Sequence, residues 1–123
     1  MKSLRRSVML GFILAIAVNF GHSTELVIQQ EPSLSRTLAG HALVWGTNEP
    51  LSGVTVELCN SDWKEVLITT KTDDDGYFSL EKPATGKLFY IRLSAPGMNT
   101  YQLRVRIKMQ AAPELTIHLS VAA

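Results

Sequence analysis

Between two runs of alternating apolar residues the chain reads "TTKTDDDGYFSL", residues 69–80. Three aspartates before a glycine can be ligands of a calcium loop, members of a carboxylate cluster, or the bend of a β-hairpin. A calcium loop places oxygen ligands on alternate residues ahead of a fixed glycine and closes with a later bidentate glutamate. With Gly76 as that glycine, Asp73 and Asp75 fall in place, but the first ligand would be Lys71, which repels a cation. Glu81 does not supply the closing ligand at the required spacing. Asp and Gly are also the residues that tolerate positive φ in tight turns. Asp73, Asp74, Asp75 and Gly76 are therefore read as a turn, and the flanking runs as strands.

Working outward, seven segments of five to ten residues share this alternation and are separated by Gly, Pro, Asn and Asp. They are residues 37–45, 54–58, 65–72, 77–81, 87–94, 100–109 and 114–121. Nothing between them keeps apolar residues at helical spacing. The alternation assigns faces. Val54, Val56 and Leu58 point to a core, as do Phe89, Ile91 and Leu93, and Tyr101, Leu103, Val105, Ile107 and Met109. The last strand adds Leu115, Ile117, Leu119 and Val121. Two such layers predict an all-β, seven-stranded Greek-key β-sandwich.

The first 23 residues have a different logic. Lys2, Arg5 and Arg6 precede an uncharged run, 8–18, and the small residues Gly21 and Ser23 follow. This is the layout of a secretory signal, cut after Ser23, and the run is too short for a membrane-spanning helix. The expected product is exported, periplasmic or secreted, with no stable membrane anchor after cleavage. Residues 24–36 read as a leader or edge segment, and 37–123 as one domain. The 100 residues left after cleavage carry 9 basic and 11 acidic side chains. A net charge of −2 leaves no footprint for nucleic acid. Cys59 is the single cysteine, so the fold has no internal disulfide and the thiol is either buried and inert or free to pair with another chain.

The stretches "GHALVWGTNEPLSGVTVEL", "TKTDDDGYFSL", "PATGKLFYIRLSAPG" and "LTIHL" in this order resemble the carboxypeptidase regulatory-like domain. The positions that carry the likeness are Gly40, Pro50, Leu51, Gly53, Val54, Val56, Leu58, Thr72, Asp73, Asp75, Gly76, Phe78, Leu80, Gly86, Phe89, Ile91, Leu93 and Gly97. Together they cover nearly all of residues 37–121. Ala42 replaces the usual Val, Phe89 replaces Tyr, and one extra residue follows Gly86. The resemblance implies a transthyretin-like (prealbumin-like) sandwich serving as an accessory or binding module of exported proteins, with the aspartates in a turn.

Chemistry found on related folds lacks its residues here. The chain ends "HLSVAA" and not in the Tyr-Arg-Gly-Ser tail of hydroxyisourate hydrolases. The two histidines past the signal, His41 and His118, face outward by parity and read as solvated. The two-Tyr, two-His iron set of intradiol dioxygenases belongs to a larger chain, and Tyr77, Tyr90 and Tyr101 read better as strand aromatics. The Lys–Asn crosslink of collagen-adhesin domains lacks its lysine in the first strand and its asparagine in the last. The expectation is a protein without catalytic residues, metal or cofactor. Two surface features remain. Arg104, Arg106 and Lys108 form an outward stripe, joined by Arg92 on a neighbouring strand, which reads as solvation or edge protection or as a surface for an acidic partner or an anionic envelope polymer. Trp45 and Trp63 stand at strand ends, where exposed aromatics bind glycans or protein. The expected partner is an envelope or extracellular protein or glycan, and a homodimer is compatible with this class.

Overall fold

The computed structural model describes residues 14–20, 23–29, 33–81, 88–108 and 114–122, with 14–20 and 23–25 as backbone only. The charges at Lys2, Arg5 and Arg6, and the positions Gly21, Gly86 and Met109, lie outside them. The described chain is all-β. Its ten strands are β1 (Leu14–Phe20), β2 (Ser23–Gln29), β3 (Ser33–Ser35), β4 (Ala39–Val44), β5 (Thr55–Cys59), β6 (Val66–Lys71), β7 (Tyr77–Ser79), β8 (Leu88–Ser94), β9 (Thr100–Ile107) and β10 (Leu115–Leu119). No helix among the described residues is long and apolar enough to cross a membrane.

Each of the seven expected segments contains a strand, β4 to β10. Three further strands precede them, which makes ten among the described residues. β1 and β2 pair antiparallel across the expected cleavage point, from Leu14 opposite Gln29 to Phe20 opposite Ser23. β2 then runs parallel to β9, with Val27, Ile28 and Gln29 opposite Thr100, Tyr101 and Gln102. Further along the same strand, β3 sets Ser33, Leu34 and Ser35 opposite Val105, Arg106 and Ile107. Residues 27–29 and 33–35 thus line the edge of β9 in two short pieces. Pieces this short carry too few residues for a two-residue repeat to stand out in sequence.

The larger sheet runs β1-β2-β9-β8-β5-β6 with β3 also on β9, and the smaller one runs β10-β4-β7. Both are mixed: β4 pairs antiparallel with β7 and parallel with β10. Val56, Leu58, Phe89, Ile91, Leu93, Leu103 and Val105 from the larger sheet meet Ala42, Phe78, Leu115, Ile117 and Leu119 from the smaller in one core. That is the arrangement of a β-sandwich. Val54, Val56, Ile91, Leu93, Val105 and Leu119 have no exposed surface, as their parity requires. Ile107, expected in the core, is only partly buried at its margin. Val121, also assigned inward, is 67% exposed, because β10 ends at Leu119 and the chain leaves it to bridge Met98.

The pairing of β5 with β6 is irregular at one point. Leu58 pairs with Ile68 but Cys59 pairs with Val66, so Leu67 is an extra residue in β6. Such a bulge increases local twist and redirects the chain beyond it. Here that chain is the β5–β6 loop carrying Trp63.

Candidate functional site: a groove on the outer face of the larger sheet

Register places the outward residues of the larger sheet in rows. Glu57 stands opposite Arg92, Arg92 opposite Gln102, and Gln102 opposite Gln29. In the next row Cys59 faces Tyr90 and Tyr90 faces Arg104. By parity Cys59 points to this outer face, yet it is only 3% exposed. The loop after it folds back over the sheet.

That loop is tied internally. The Asn60 side-chain oxygen accepts the backbone N–H groups of Lys64 (3.2 Å) and Glu65 (3.1 Å), and Asp62 accepts that of Lys64 at 2.9 Å. Trp63 N–H donates to the Asn60 carbonyl at 3.0 Å. Trp63 itself is held at φ 67°. A bulky residue in that region costs about 1–2 kcal/mol and needs its surroundings to hold it there. Arg92 does so: its Nη1 donates to the Trp63 carbonyl at 3.0 Å while its Nε donates to Glu57 Oε1 at 2.8 Å. The Trp63 ring rests edge-to-face on Tyr90, with centroids 5.4 Å apart and planes at 87°.

The result is a groove of about 350 Å³ lined by Gln29, Ser61, Trp63, Tyr90, Gln102 and Arg104. The Gln29 side-chain amide donates to that of Gln102, which aligns two amide groups along one wall. Arg104 is exposed and lies beside Tyr90 in the sheet. Arg106 continues from it along β9 and Lys108 follows just past the strand's end, both exposed. The groove therefore offers aromatic rings, amide donors and acceptors, a hydroxyl, and a guanidinium at its rim.

Of the surface residues singled out in sequence, the structure brings Trp63, Arg92 and Arg104 together, with Arg106 and Lys108 alongside. Arg92 is not a free surface cation, because the ion pair and the Trp63 carbonyl use its nitrogens. It positions Trp63. Tyr90, Gln102, Gln29 and Ser61 were missed. Tyr90 and Gln102 share outward parity with Arg92 and Arg104, so the alternation held that signal, whereas Gln29 and Ser61 are brought in by tertiary pairing and loop folding.

Trp45 is elsewhere. It is 68% exposed at the end of β4 and stands edge-on to His118, with centroids 5.7 Å apart. It lines a second cavity of about 450 Å³ with Ile28, Tyr101, Thr116, Ile117, His118 and Ser120. The two tryptophans do not share a site. The histidines are not simply solvated either. His118 Nε2 lies 2.9 Å from Asn48 Oδ1, and His41 packs on Tyr77 with centroids 5.1 Å apart.

The aspartate stretch forms an Asp-initiated turn. Asp73 Oδ1 accepts the N–H groups of Asp75 and Tyr77, each at 2.9 Å, and Gly76 N–H donates to the Asp73 carbonyl at 2.9 Å. Asp74 Oδ1 takes a 3.4 Å bond from the Ser52 hydroxyl. Gly76 adopts φ 77°. No group of three His, Cys, Asp or Glu among the described residues is arranged to hold a metal ion. Cys59 is a free, buried thiol, and burial pushes its pKa above the ordinary 9.0, opposed by the nearby Arg92 charge and reinforced by Glu57.

No protein-family model matches the chain, and a search of the curated proteins finds no match.

Proposed function

We propose that this chain is an exported, non-enzymatic binding module, and that its ligand is received in the groove beneath Trp63 on the outer face of the larger sheet. The carrying observation is the tethered ring: Trp63 is kept in a left-handed backbone conformation by Arg92, against Tyr90, at the wall of a polar groove. Backbone strain that the surrounding contacts hold in place clusters at sites where a side chain must be presented in one orientation. The volume falls within the range of about 300–1,000 Å³ usual for small-molecule sites.

The finer fold reading is a seven-strand, transthyretin-like Greek key of the carboxypeptidase regulatory-like type, comprising β4 to β10. Supporting it are the ordered match of residues 37–121 to that domain's pattern and the way the chain changes sheets between β4 and β5, β6 and β7, β7 and β8, and β9 and β10. Export is supported by the charge and small-residue layout of residues 1–23. A non-enzymatic role is supported by Cys59, which is buried with its pKa raised by that burial, and by His41 and His118 being packed against aromatic rings.

The wild-type chain and Trp63→Ala are used as baits against a solubilised envelope fraction. Capture of a protein or polymer by the wild type, lost with Trp63→Ala, supports the groove as the binding site. Equal capture by both overturns it. Intact-mass measurement of the exported chain tests the leader, with a product beginning at Thr24 expected and one still beginning at Met1 opposing it.

A further inference from the structure

Resting on that reading of the groove, we infer that its ligand is an anionic polysaccharide, with a sugar ring stacked on one of the perpendicular rings of Trp63 and Tyr90 and edged by the other, and an acidic substituent bound by Arg104. The lining supplies the three kinds of contact that such a ring needs. Aromatic rings pack on the apolar C–H face of a pyranose. The aligned amides of Gln29 and Gln102, with the Ser61 hydroxyl, can both donate to and accept from ring hydroxyls. Arg104 presents a planar fork that matches a carboxylate or sulfate through two parallel hydrogen bonds.

A repeating polymer, and not a lone sugar acid, is indicated by what lies beyond the groove. Arg104 and Arg106 follow one another on the outer face of β9, Lys108 comes just past its end, and all three are exposed. Two-residue spacing along a strand sets such charges roughly 6.6–6.8 Å apart. Among the described residues, the salt bridge of Arg92 with Glu57 leaves these three as the exposed cations of β8, β9 and the residue after it. A protein partner with an acidic surface would meet the stripe as well, and polyglutamate stands for it in the test.

The test titrates the chain with four probes: an oligogalacturonate, a sulfated oligosaccharide, a neutral oligosaccharide of similar length, and polyglutamate. Binding is followed by tryptophan fluorescence and calorimetry at two salt concentrations. At least one anionic sugar is expected to bind more tightly than the neutral one, with affinity falling as salt rises. The two anionic arms distinguish carboxylate from sulfate as the acidic group. Trp63→Ala is expected to weaken that binding about tenfold, with Trp63→Phe recovering part of it. Arg104→Ser is expected to weaken the anionic sugar about tenfold while leaving the neutral one unchanged. Thermal melts confirm that each variant folds, and Arg104→Gln replaces any Ser variant that does not. Polyglutamate binding as tightly as the sugars would reduce the site to net charge and overturn the inference, as would neutral and anionic sugars binding alike. Failure of every saccharide while the wild-type bait still captures an envelope component through Trp63 would overturn the ligand class alone. Failure of both experiments would overturn the groove itself.

Discussion

Replacing Gly76 with alanine asks whether the turn at residues 73–76 is held only by its own geometry or also by close contact with β4. Gly53 and Gly76 share the same φ of +77°, and a Cβ at Gly53 would meet nothing within 4 Å. At Gly76 a Cβ would stand 2.6 Å from the Ala42 carbonyl oxygen, 3.2 Å from the Leu51 nitrogen and 3.3 Å from the Pro50 side chain. Gly53→Ala therefore carries only the left-handed penalty, about 1 kcal/mol. Gly76→Ala carries the same penalty and must also push the turn off backbone that cannot swing aside. Retreat stretches the Ala42 N–H bond to the Gly76 carbonyl, now 2.8 Å, and whatever overlap remains wedges the methyl against the Leu51 N–H bond to the Ala42 carbonyl, now 2.9 Å. At roughly 1 kcal/mol for each weakened bond, the total reaches about 3 kcal/mol. That is a large share of the ~5–15 kcal/mol typical of a domain. With a urea slope of about 1.5 kcal/mol/M, the unfolding midpoint should fall by about 2 M for Gly76→Ala and by under 1 M for Gly53→Ala. Equal midpoints for the two variants, with unchanged slopes, would refute the packing of the turn against β4.

The same structure sets four further outcomes. Arg92→Ala removes the partner of Glu57 and the donor to the Trp63 carbonyl, and should cost about 1–3 kcal/mol together with a red shift of tryptophan emission; unchanged emission would show that Arg92 does not position the ring. Ile91→Ala empties a fully buried site and should cost about 2–5 kcal/mol in a denaturant melt, while Arg106→Ser on the outer face should stay within about 0.5 kcal/mol; similar losses would mean the strand faces are misassigned. The Cys59 pKa is raised on folding, so the native state keeps its proton where the unfolded chain has lost it, and the associated stability is present below 9.0 and is lost as pH rises through the folded value. Wild type should thus lose stability relative to Cys59→Ala across that window, and iodoacetamide should label the thiol only once urea unfolds the chain. Because Asp73 already accepts two backbone N–H groups, millimolar calcium should leave the melting temperature unchanged, whereas a rise abolished by Asp73→Ala with Asp75→Ala would restore an ion site.

Local chemistry was enough for the strands and their faces. A two-residue repeat such as Phe89-Ile91-Leu93 is imposed by the pleat itself, so Val56, Ile91 and Val105 could be placed in the core, and Asp73 to Gly76 in a bend, without knowing any partner strand. The same repeat put Arg92 and Arg104 on one outer face. It could not tell that Arg92 is occupied by Glu57, because that pair joins residues 35 positions apart and depends on β5 lying beside β8. Nor could it separate Gly76 from Gly53. Both need a positive φ, but only the packing of the turn on β4 makes a side chain at Gly76 collide. The groove is decided at this level too. One extra residue in β6 turns the 60–65 loop over the sheet, burying Cys59 against its parity and bringing Trp63 onto Tyr90, while Trp45, of the same residue type at a similar strand end, is left on the far side of the molecule's core beside His118. Parity acts between neighbours along one strand, but a site is made where strands distant in sequence are set side by side, and only the folded chain specifies that neighbourhood.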